Sequence, residues 1–90
     1  MGIEGIYEWN DTKRQTNLHK HGLDFADMVS FDWDTAQITL IDHPSEERWI
    51  AIGFLKLTLC FVVYAEREDH IRLISLRKAT RKERDYYAKK

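Results

Sequence analysis

From residue 35 to residue 77 the chain is a succession of apolar, β-branched and aromatic runs, "TAQITLI", "RWIAIGFL", "LTLCFVVYAE" and "HIRLISLR", parted by short polar breaks. Side chains of this kind fit a pleated, half-buried surface, so the four runs read as strands. The third is apolar at nearly every position, as a central strand covered on both faces would be. Ahead of them lies a short strand over residues 6–9, followed by a mostly polar stretch. There Asn10 or Asp11 can N-cap a helix, and Gly22 can close it. Asp24 can cap a second, shorter helix, whose Phe25, Met28 and Val29 follow the i, i+3, i+4 spacing of a core-facing stripe. After the last strand, Thr80 and Glu83 form a T-x-x-E capping box, so a final helix begins near Arg81 and runs to the C-terminus. The order is β-α-α-β-β-β-β-α. It predicts an α+β fold, an antiparallel sheet of four to five strands with two N-terminal helices and one C-terminal helix.

Ninety residues suffice for one domain, spanning 1–90, with a single modest core. The opening "MGIEGIYEW" has two glutamates and no apolar h-region, and "LTLCFVVYA" is too short to span a bilayer, so a cytoplasmic protein is expected. Cys60 has no second cysteine to pair with and sits among Leu59, Phe61 and Val62, where it reads as a core residue. Charge changes the picture more. The net charge of −1 conceals a dipolar chain: residues 1–70 hold 6 Lys and Arg against 13 Asp and Glu, and residues 71–90 hold 8 against 2. A basic end of this kind suits an anionic partner, nucleic acid first and an acidic protein segment or membrane surface next.

On the last helix Arg84 and Tyr87 share a side with Arg81 a turn earlier, and Lys82, Tyr86 and Lys89 form a neighbouring stripe. Arg77 ends the preceding strand. Strand end, capped helix N-terminus and guanidinium groups together make a phosphate cradle, because backbone N–H groups and Arg forks both donate to phosphate oxygens. Tyrosines add flat surfaces on which unpaired bases stack. The same run also reads as a solvated face with i, i+4 ion pairs, such as Arg81 with Asp85.

The blocks "NLHKHGLDFADM", "EERWIAIG", "VVYAER" and "LISLRKATRKERDYY" resemble, in order and spacing, those of the BrnT toxin family, over almost the whole chain. The resemblance implies a RelE-like fold, an RNA substrate and a ribonuclease held inactive in a type II toxin–antitoxin pair. It also implies a BrnA-type ribbon-helix-helix antitoxin, two toxins with two antitoxins in the complex, and operator DNA bound only through the antitoxin. Two departures stand out: only "FLK" follows Gly53 where the family has a longer turn, and Asp85 and Tyr86 occupy positions usually basic.

Cleaving RNA without a metal requires activating the 2′-hydroxyl, stabilising the phosphorane and protonating the leaving 5′-oxygen. With the family blocks, Glu47 is the candidate base, Arg67 and Arg77 the candidate phosphate clamp, and Tyr87 a positioning or proton-transfer group. Each has a structural alternative: Glu47 paired with Lys56 or Arg48 across a hairpin, Arg67 at a strand end, Tyr87 as a core-edge aromatic. His21 stands in the last turn of the first helix, either bonding free carbonyls there or joining the active site with Lys20 as a phosphate contact. Arg81 and Arg84 complete the RNA-binding candidates. His19 and His21 point to different sides of a helix, His43 and His70 are scattered, and neither a P-loop nor a C-x-x-C motif is present, so no metal or cofactor is expected. The reading is a metal-independent endoribonuclease toxin; the alternative is a noncatalytic nucleic-acid-binding or protein-interaction module.

Overall fold

The computed structural model describes the backbone of residues 2–4 and 6–89 and the side chains of residues 6–89. The elements are β1 (Gly2–Glu4), β2 (Tyr7–Trp9), α1 (Asp11–His21), a 3-10 helix (Phe25–Ser30), β3 (Gln37–Ile41), β4 (Arg48–Leu55), β5 (Thr58–Arg67), β6 (His70–Lys78) and α2 (Arg81–Ala88). They form an α+β fold around one sheet of order β1-β2-β6-β5-β4-β3.

The caps act as the sequence suggests. Asn10 accepts from the Lys13 N–H at 3.1 Å, Gly22 closes α1 at φ 71°, and Thr80 with Glu83 forms a reciprocal capping box on α2. Three expectations are corrected. The sheet is mixed rather than antiparallel, because β2 runs parallel to β6 through Tyr7–Ile71 and Glu8–Arg72. That pairing joins the two ends of the chain, with α1 and the whole β3–β5 meander between them, and local patterning carries no signal for it. Among the described residues the sheet also has six strands, since β1 adds antiparallel to β2. The element order therefore differs from the expected one, and the second N-terminal helix is a 3-10 helix of six residues. Its tighter turn eclipses positions i and i+3: Phe25 and Met28 are fully buried, and Val29, expected on the same stripe, is 60% exposed.

β5 lies between β4 and β6 and alternates cleanly in its middle. Cys60, Val62 and Tyr64 are buried on one face together with Tyr7, Trp9, Ala51, Leu55, Leu73 and Leu76, packed beneath Phe25, Met28 and Phe31. Gly53 makes that packing possible, since a Cβ there would stand 2.7 Å from the Phe31 ring. Register places Ile50, Ile52, Phe61, Val63, Ser75 and Arg77 on the opposite face, which is half-buried for the most part. The short link after Gly53 is a two-residue turn, Lys56 and Leu57, with Lys56 at φ 57°.

Candidate nucleic-acid interface

β2 covers β6 only at Ile71 and Arg72; beyond them α1 lies along the strand. Asn17 makes the join. Its Oδ1 accepts from the Leu76 N–H at 3.0 Å, and its Nδ2 donates to the Leu76 carbonyl at 2.8 Å and to the Leu23 carbonyl at 3.0 Å. With 7% exposure it is the one buried polar side chain among the described residues, and its amide is fully occupied by backbone groups that would otherwise be buried unpaired.

A helix held at Asn17 presents Lys13 and Lys20 beside it, since positions i−4 and i+3 share its side, and Thr16 lies a turn from each of them on the adjoining side. These residues, with His21, Ile74 and Ser75, line an open cleft of about 230 Å³. The floor is irregular: Val63 pairs with Ser75 and Tyr64 with Leu73, so Ile74 is the extra residue of a bulge, a device that re-aims side chains at the rim of a sheet. Two ammonium groups, an imidazole and two hydroxyls line the cleft, and no carboxylate does. That is donor chemistry for an anion.

Arg77 lies two residues beyond Ser75 on the same face, directly across from Phe61. Its guanidinium stacks 4.0 Å from the Phe61 ring centroid and donates to both carboxylate oxygens of Glu83, at 2.8 and 2.9 Å. Glu83 simultaneously accepts from the Thr80 N–H at 2.8 Å, so one carboxylate caps α2 and ties it to β6. The Arg77 hydrogen bonds hold the Glu83 carboxyl below its ordinary range, and Glu83 in turn raises Arg77. At its other end α2 is docked by Tyr87, whose hydroxyl donates to the Thr35 carbonyl at 3.1 Å and whose ring meets Phe54 edge-on at 5.8 Å. Arg81 and Arg84 are exposed on this anchored helix, and Arg84 donates to the Ala79 carbonyl at 3.4 Å.

The remaining sequence candidates lie elsewhere. Arg67, at the end of β5, is 3.5 Å from Glu46, which also approaches Arg48 at 3.9 Å. The carboxylate facing these arginines is thus Glu46; Glu47 is exposed, and no hydrogen bond or ion pair of the described residues includes it. Arg67 is six residues along β5 from the partner of Arg77, about 20 Å at the usual rise per residue, so the two guanidinium groups do not converge. Lys20 and His21 line one cleft, and Arg81 and Arg84 lie on the helix whose start Arg77 ties to β6 through Glu83; Glu47 and Arg67 lie at neither place. Sequence reasoning missed Lys13, Thr16, Asn17 and Ser75. The i, i+3, i+4, i+7 spacing of Lys13, Thr16, Asn17 and Lys20 was the available signal. Cys60 is buried, and burial pushes its thiol up. Among the described residues no group of three or more His, Cys, Asp and Glu is suited to a metal ion.

A cationic cleft against a sheet, continued by a basic capped helix, is the setting in which the family comparison is informative. A family model described as the ribonuclease toxin, BrnT, of type II toxin–antitoxin systems matches residues 9–83. The chain belongs to the BrnT family. No curated protein matches it. The matched span includes Lys13, Asn17, Lys20, His21, Glu47, Arg67, Arg77 and Arg81, and ends just before Arg84 and Tyr87. BrnT proteins are ribonuclease toxins of type II pairs, so family membership implies an RNA target and an antitoxin partner. No helix of the described residues is long and apolar enough to cross a membrane.

Proposed function

We propose that this chain is a metal-independent endoribonuclease that cleaves RNA in the cleft between α1 and β6, in the cytoplasm, and is neutralised by a BrnA-type ribbon-helix-helix antitoxin in a complex of two toxins with two antitoxins. The observation that carries the proposal is the cleft itself, where Lys13, Lys20 and His21 face Ser75 with no carboxylate among them. Lys13 and Lys20 would hold the scissile phosphate and stabilise the charge that builds on it. His21 would move the proton, since an imidazole both accepts and donates one. The 2′-hydroxyl attacks the neighbouring phosphorus and gives up its proton, the P–O5′ bond breaks, and the 5′-oxygen takes a proton, leaving a 2′,3′-cyclic phosphate and a 5′-hydroxyl.

Arg77 acts in this scheme as a positioning residue, because its fork is held by Glu83; through that pair it fixes the start of α2, from which Arg81 and Arg84 extend the phosphate track away from the cleft. Glu47, Arg67 and Tyr87 stand outside the reacting centre. The exposed position of Glu47, remote from Arg77, also favours a second reading, a noncatalytic RNA-binding or protein-interaction module. Incubating the purified protein with a defined RNA in EDTA separates the two. Cleavage leaving cyclic or 3′-phosphate ends is expected; RNA bound and recovered intact would establish the binder.

A further inference from the structure

At the far end of the sheet from the cleft, β3 is an edge strand: among the described residues no strand lies beyond it. Its surface is unusual for an edge. Ile38 is 48% exposed, Leu40 43% and Ile41 37%, so aliphatic side chains stand open on both faces of a strand that pairs on one side only. Natural edges are normally blunted with lysine, proline or a bulge, and β3 has none of these; one left flat and aliphatic is a template for another strand. Pairing of this kind draws affinity from main-chain hydrogen bonds and specificity from alternate side chains.

Charge selects the occupant. Residues 21–47 contain seven Asp and Glu and not one Lys or Arg, although the chain as a whole is at −1. Asp32 and Asp34 precede β3, and Asp42, Glu46 and Glu47 follow it; all but Glu46 are exposed. A second copy paired antiparallel would set acid against acid at both ends, and RNA would be repelled. A basic strand would be attracted.

We propose that the free edge of β3 receives an extended segment of the antitoxin, aliphatic at alternate positions and rich in Lys and Arg at its ends, which adds a seventh strand to the sheet. The identity of the partner rests on the toxin–antitoxin reading; the strand chemistry does not. β3 lies three strands from β6, about 14 Å at the usual spacing, so this contact anchors the antitoxin without occupying the cleft.

The test is hydrogen exchange by mass spectrometry on the free toxin and on its complex with the purified cognate antitoxin. Amides of residues 37–42 are expected to exchange more slowly in the complex, on the order of tenfold or more. The double variant I38K/L40K, both exposed sites, is expected to keep the far-ultraviolet circular dichroism and RNA cleavage of the parent while losing about tenfold or more in antitoxin affinity. Unchanged exchange over 37–42, unchanged affinity of the double variant, protection that follows toxin concentration or added RNA instead, or failure of the antitoxin to bind at all would each overturn the proposal. Loss of the ribonuclease reading is told apart, because a protein that cuts no RNA yet gains protection at β3 upon antitoxin binding refutes only the former.

Discussion

The side-chain amide of Asn17 makes to Leu76 both hydrogen bonds that a neighbouring strand would make, 3.0 Å from the Leu76 N–H and 2.8 Å to the Leu76 carbonyl. A helix residue thereby substitutes for a neighbouring strand where β2 stops short, and the same contact fixes the wall of the cationic cleft. Replacing Asn17 by Ala leaves buried donors and acceptors without partners, a cost of about 1–3 kcal/mol. Urea unfolding is expected to show a lower midpoint of that size, and Asn17→Asp, which keeps the acceptor but loses the donor, is expected to be no better tolerated.

The Arg77–Glu83 and Arg14–Asp24 pairs are expected to contribute to the acid limb of stability. Arg14 donates to both oxygens of Asp24, at 2.7 and 3.0 Å, and this pairing lowers the Asp24 carboxyl as Arg77 lowers Glu83. A carboxyl depressed in the folded state binds fewer protons there than in the unfolded chain. Its stabilisation is therefore complete above the unfolded values, 4.5 for glutamate and 3.8 for aspartate, and is lost as pH falls through the lower folded ones. Thermal melts between pH 6 and roughly pH 2 should show stability declining below about pH 4.5, with a shallower decline in a Glu83→Gln, Asp24→Asn double variant. Equal slopes would remove the two pairs from the acid response.

How much of this was legible in the chain differs by range of interaction. Caps and strands were, because Asn10, Gly22, Asp24, Thr80 and Glu83 act on backbone within a few residues, and the runs from 48 to 78 carry the β-branched and aromatic residues that strands favour. The parallel β2–β6 pairing and the Asn17–Leu76 join were not: they connect positions 59 residues or more apart, and neither residue type announces its partner. Val29 was misassigned because a stripe drawn at 3.6 residues per turn does not survive in a 3-10 helix. Among the candidate residues, Lys20 and His21 line one cleft, and the carboxylate toward Arg67 is Glu46 rather than its neighbour Glu47; in an irregular segment next to a strand, one residue decides which side chain turns that way.

RNA affinity should report the cleft and the α2 track separately from catalysis. For a single strand, log affinity falls with log salt at about −0.7 per phosphate neutralised. Lys20→Ala and Arg84→Ala are each expected to weaken binding a few-fold and to flatten that slope by about 0.7, additively when combined. An unchanged slope in either would remove that residue from the phosphate path.

Whether the cleft is the reacting centre is decided by single-turnover cleavage of a defined RNA in EDTA by the parent protein, His21→Ala and Glu47→Gln, each first checked for native circular dichroism. His21→Ala is expected to lower the rate on the order of 10²-fold or more, with binding retained, while Glu47→Gln stays close to the parent. Undiminished cleavage by His21→Ala together with loss of cleavage in Glu47→Gln would contradict it and move the chemistry to the other end of the sheet.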